Sequence, residues 1–139
     1  MDELLFIETI RVEDGTFVRP ELHLQRMRQT VREAYGVASG FDLADGSIPL
    51  QHRKGTVKCR IVYGRSLSEI SFAPYVPREI RSLRLVAADD ELDYHLKYAD
   101  RSALARLLQR RDDCDEILIV RDVAKDGQGR YDPHISNCL

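Results

Sequence analysis

The chain is 139 residues long, 43% hydrophobic and 32% charged, with a formal net charge of −2. That length suits one globular domain, or one small domain joined to part of another. Acids interleave with the arginines, which argues against a nucleic-acid or membrane surface, and no apolar run approaches the roughly 20 residues that span a bilayer.

Three further features bear on compartment. The chain starts Met1-Asp2-Glu3-Leu4-Leu5, acidic where a signal peptide is basic. Cys59, Cys114 and Cys138 are odd in number and far apart, so neither a disulfide framework nor a zinc site is indicated. A reducing cytoplasm is the expected setting.

Leu4 to Val12 is apolar and partly β-branched, a first strand that Asp14-Gly15 breaks before Phe17-Val18 resumes as the second arm of a hairpin. Pro20 opens a helix in which Leu24, Met27, Val31 and Ala34 recur at helical spacing, and Gly36 ends it. Its opposite sector carries Gln25, Arg28 and Arg32, a solvated face. Residues 41–54 read as a loop region with no clear boundaries.

Val57, Cys59, Ile61 and Tyr63 alternate with Lys58 and Arg60, the pattern of a half-buried antiparallel strand. Glu69 to Tyr75 is a second such strand, confined to an edge or an end by Pro74 and Pro77. Leu83 to Ala87 is a third, expected beside the others in one mainly antiparallel sheet. Residues 89–93 (Asp-Asp-Glu-Leu-Asp) read as an interdomain linker. Ser102 to Arg111 forms a second helix with Leu104, Leu107 and Leu108 inward. Ile117 to Val120 is an unbroken apolar run, as in a strand covered on both faces.

Few residues invite chemistry, and each has a plain structural explanation. Arg26, in His23-Leu24-Gln25-Arg26-Met27, lies near a helix start, where a guanidinium and helix amides together favour an anion. The plain alternative is a surface arginine, and for His23 a packed or exposed side chain. Glu8 and Arg11 interrupt the first strand and either line a cleft or face water. Asp115-Glu116 reads best as a solvated strand start. Residues 132–137 lie near the terminus, where disorder is the usual expectation. Lys97 follows an apolar-flanked run and leads into a helix; an amine at such a junction, if desolvated, becomes a nucleophile.

Taken in order, Phe6-Ile7-Glu8-Thr9-Ile10-Arg11-Val12, His23-Leu24-Gln25-Arg26-Met27, His95-Leu96-Lys97-Tyr98, Asp115-Glu116-Ile117-Leu118-Ile119-Val120 and Ile135-Ser136-Asn137 resemble the class IV aminotransferase family. That family includes branched-chain and D-amino-acid aminotransferases and aminodeoxychorismate lyase. The resemblance runs from Leu4 to Leu139.

The resemblance implies an α/β (α+β) fold: a small domain (1–92) with a mainly antiparallel sheet and packed helices, then the beginning of a large domain (93–139). It implies pyridoxal 5'-phosphate as cofactor, joined to Lys97 as a Schiff base. Arg26 then holds the cofactor phosphate, Asp132 faces the pyridine nitrogen, and Asn137 belongs to the signature after that acid. Asp132 stands where the family usually has glutamate, and Pro133 and His134 replace small residues. The implied substrate is a small-molecule amino acid or aminodeoxychorismate, and the implied assembly a homodimer. Family members continue beyond the point matching Leu139, so the chain is expected to be truncated. Two other readings stand beside an active enzyme: a catalytically inactive relative that survives as a dimeric fragment, and an unrelated α/β binding module.

Overall fold

The computed structural model describes residues 3–88, 92, 95–125 and 131–136, the stretches from 121 onward by their backbone alone. The chain divides into two compact units, Met1–Pro77 with His95–Ala99, and Arg78–Tyr94 with Asp100–Leu139.

The first unit is built on a four-stranded antiparallel sheet. Strand β1 (Phe6–Glu13) runs into β2 (Thr16–Phe17) through Asp14 and Gly15, both at positive φ (47° and 80°). Asp-Gly tolerates that pair of left-handed conformations, which match the twist of the flanking strands. Helix α1 spans Pro20–Tyr35 with proline in its first turn. It ends at Gly36, whose φ of 68° lets its amide donate to the Arg32 carbonyl. Strands β3 (Thr56–Tyr63) and β4 (Leu67–Pro74) complete the order β2-β1-β3-β4. As Pro74 and Pro77 foretell, β4 lies at an edge and is largely exposed.

Alternation decides which side chains meet α1. Phe6, Ile10 and Val12 of β1 and Val57, Cys59, Ile61 and Tyr63 of β3 pack with Leu24, Met27 and Val31 of the helix. The 41–54 segment contributes Phe41 and Ile48 to this core and contains two short 3-10 turns, Asp45–Ser47 and Leu50–His52. It is pinned where the Asp45 carboxylate accepts the Phe17 amide (3.0 Å).

The second unit holds a three-stranded sheet in the order β5-β6-β7. Strand β5 (Leu83–Ala87) pairs in parallel with β6 (Glu116–Lys125), and β7 (Tyr131–Ser136) is antiparallel to β6. A parallel pair needs a crossover, which includes helix α2 (Ser102–Leu108) and a following 3-10 turn, Gln109–Arg111. Val86, Leu92, Leu107, Ile117 and Ile119 form its core.

Two expectations are corrected here. The Leu83 strand does not join the first sheet: its partner is β6, some thirty residues on, because an apolar run states that a strand is buried but not beside what. Residues 131–136 form a strand where disorder was expected, since β6 offers them an antiparallel ladder from Ile119↔Ser136 to Lys125↔Tyr131, with one shift of register between Val123 and Lys125.

Candidate functional site

The first unit brings together a buried carboxylate, an imidazole and a guanidinium. Glu8 shares the core-facing side of β1 with Phe6 and Ile10 and is fully buried. His23 and Arg26, three residues apart on α1, lie on one helix face over it. The Glu8 carboxylate accepts from His23 Nδ1 (2.6 Å) and from Arg26 Nε (3.0 Å), and its second contact with Arg26 is to Nη2. Since a carboxylate only accepts, His23 Nδ1 must carry a proton. Thr30 and Tyr63 stand beside this cluster; burial pushes the Tyr63 phenol up, and a bond with the Thr30 hydroxyl works against that shift.

The exposed side of the cluster opens into a cleft of about 490 Å³ lined by Arg11, Val18, Arg19, Leu22, His23 and Arg26. Arg11 is paired with Glu13 (2.9 Å). The sheet side away from α1 carries a second cleft, about 510 Å³, lined by Thr9, Arg11, Thr56, Lys58, Tyr75 and neighbouring apolar groups. Arg11 and Lys58 are direct cross-strand partners there. Like charges placed opposite each other cost stability, and the Arg11 charge is met by Glu13.

Lys97 docks onto β1. Its carbonyl accepts the Ile7 amide (2.8 Å), Ala99 donates to Leu5 (2.8 Å), and Tyr98 bridges Phe6, with their rings 5.2 Å apart. The lysine is partly buried. His95 Nε2 meets Glu33 of α1 at 3.2 Å. One strand thus carries the backbone of Lys97 at Ile7 and the partners of Arg26 at Glu8.

The remaining expected residues fall in or near the second unit's β7. Asp132 is in β7 opposite Val123, and Asn137 lies outside the described residues. Asp115 is exposed, as read from the sequence, and accepts the Arg81 and Ser82 amides (2.8 and 3.2 Å). Glu116 overturns its expectation: it is fully buried at the first position of β6 and held by Arg78. Glu8 was under-read in the same way. The signal was present: Phe6, Glu8, Ile10 and Val12 share one strand face, so an acid was being placed among core residues.

Among the described residues no group of three or more His, Cys, Asp or Glu has the arrangement of a metal site, and no helix is long and apolar enough to cross a membrane.

No protein-family model matches the chain. An uncharacterized protein of Haemophilus influenzae (strain ATCC 51907 / DSM 11121 / KW20 / Rd) is 33% identical over 120 residues, covering 83% of this chain and 62% of that protein. The chain therefore spans less than two thirds of the curated relative it matches. Among solved structures, a "putative 4-amino-4-deoxychorismate lyase" from Haemophilus somnus 129pt is 29% identical with a TM-score of 0.71, covering 96% of this chain and 69% of that one. A "putative amino-acid aminotransferase" from Mesorhizobium loti is 21% identical with a TM-score of 0.60, covering 93% and 65% respectively, a likeness of fold alone.

Proposed function

Because this chain has the fold of the class IV aminotransferases and aminodeoxychorismate lyases, we propose that it is built for their chemistry, with pyridoxal 5'-phosphate attached at Lys97. The observation that carries this reading is the shared anchorage of Lys97 and Arg26 on consecutive residues of β1.

The donor set fits the cofactor. A phosphate dianion calls for fixed cationic donors, and Arg26 is fixed by a buried carboxylate at the edge of a cleft that also holds Arg19 and His23. An attachment site calls for an amine held in place, and the backbone around Lys97 is tied to β1 through its own carbonyl and the Ala99 amide. When bound, the cofactor supplies a ring that takes up the electron pair released at the substrate's α-carbon.

The protein's own residues do the rest in this reading. The Arg26 guanidinium holds the phosphate and so sets the ring's place. The Lys97 amine accepts a proton and returns it. By the family resemblance, Asp132 would face the ring nitrogen and Asn137 would belong to the signature after that acid. The substrate in this reading is a small amino acid or aminodeoxychorismate.

The reading also carries a homodimer in the cytoplasm. In support of the dimer, Leu83 and Leu85 share one face of β5, the latter 66% exposed. A clean monomer by ultracentrifugation would remove that part.

The test is a labelling experiment. Incubation with pyridoxal 5'-phosphate should raise absorbance near the violet edge of the visible, and borohydride should fix the adduct on Lys97. The chain has four lysines, Lys54, Lys58, Lys97 and Lys125, so peptide masses identify the site. Lys97→Ala should abolish the band. A band that survives this substitution, or label spread evenly over the lysines, overturns the assignment.

A further inference from the structure

Resting on the phosphate reading of Arg26, we infer that Glu8 is a positioning residue that holds His23 as its Nδ1–H tautomer and Arg26 in a fixed orientation, making the two side chains one phosphate-binding unit.

Folding alone gives no reason for an acid at this position. Glu8 is fully buried, flanked on its strand face by Phe6 and Ile10 and paired across the sheet with Ile61. A buried carboxylate carries a heavy desolvation cost, and well-packed apolar residues often replace buried ion pairs without loss of stability. Here the compensation comes from two side chains that both reach a cleft. Arg26 is half exposed (53%), so it does not depend on Glu8 for its own solvation.

The geometry assigns each atom a task. Glu8 Oε2 takes Arg26 Nε, while Oε1 takes both Arg26 Nη2 and His23 Nδ1. Two bonds along one edge of the guanidinium fix its plane. With Nδ1 committed to the carboxylate, Nε2 on the far side of the imidazole is left for a ligand in the cleft that His23 lines. Second-layer carboxylates act on histidines in this way at metal and catalytic sites. The cleft adds Arg19, and its partner chemistry is that of a phosphate monoester dianion.

Two measurements on the full chain, with Glu8→Leu and Glu8→Gln, test this. The first uses no cofactor: long-range 1H–15N NMR reads the His23 tautomer. The Nδ1–H form is expected in the parent protein and the Nε2–H form in Glu8→Leu. The second compares the binding of pyridoxal 5'-phosphate with that of pyridoxal, which lacks the phosphate. Glu8→Leu should weaken the phosphorylated ligand about tenfold or more, the scale of a lost hydrogen bond to a charged group, and leave pyridoxal unchanged. Its melting temperature should not fall. Equal losses for both ligands, an unchanged ratio, or an Nε2–H tautomer in the parent protein would each overturn the inference. Should Glu8→Leu fail to fold, Glu8→Gln carries the same ratio test. Should the parent protein bind neither ligand at Lys97, the cofactor reading falls while the tautomer still decides whether Glu8 positions His23.

Discussion

Ile7 donates its backbone amide to the carbonyl of Lys97 at 2.8 Å, and the next residue along the strand, Glu8, accepts from Arg26 at 3.0 Å. Two segments some seventy residues apart in sequence are thereby registered on one β-strand. The lysine is held through its main-chain carbonyl. Both attachments belong to the first unit, which includes His95–Ala99 although the chain between passes through the second.

Tyr98, with Leu96, packs this segment against the first unit's core. Its ring lies against Phe6, and Phe6 is fully buried. Tyr98→Ala should cost about 1–2 kcal/mol, the range for losing a partly buried aromatic contact. Hydrogen exchange should quicken at the Ile7 and Ala99 amides and stay unchanged along the β1–β3 ladder. Uniform acceleration over all three would mean that the segment has no separate opening.

The Arg78–Glu116 pair should respond asymmetrically. Glu116 is buried whereas Arg78 is 55% exposed. Arg78→Ala strands a buried carboxylate and should cost roughly 3 kcal/mol, whereas Glu116→Leu frees an arginine that turns to water and should cost under about 1 kcal/mol. Urea unfolding measures both. Equal losses would contradict the burial assigned to Glu116.

Asp115 sets a pH dependence. Its bond from the Arg81 amide, aided by Ser82, holds its carboxyl below the usual aspartate range. A depressed folded value means the carboxylate form is favoured by folding. Its stabilisation is therefore complete above the unfolded value, near pH 3.9, and is lost as pH falls through the lower folded value. The stability gap between the parent chain and Asp115→Asn should be constant at neutral pH and close below about pH 4. A gap that persists there would show that the amide bonds do not favour the charged form.

Cys59 should be inert. Burial pushes its thiol up to about 11, so at pH 8 only on the order of one molecule in a thousand carries the thiolate. Iodoacetamide applied to the native chain should leave the Cys59 peptide unmodified, and denaturant should expose it. Rapid native labelling at Cys59 would mean the β3 core opens on the reaction timescale.

The local grammar of the first unit is legible in the residues themselves. Asp14-Gly15 permits only a tight turn, Pro20 and Gly36 bracket a helix, and alternation from Val57 to Tyr63 names the buried face of β3. These signals are short-range, because steric and hydrophobic preferences act over a few residues. The order of the five motifs also carried the family resemblance without any coordinates.

Partnership was decided elsewhere. Nothing within Leu83–Ala87 states that it pairs in parallel with β6, and nothing beside Glu8 or Glu116 states that an arginine waits to meet each buried carboxylate. Periodicity reports which way a side chain points, whereas strand pairing and charge compensation depend on chain segments tens of residues away, and only the folded chain brings those together.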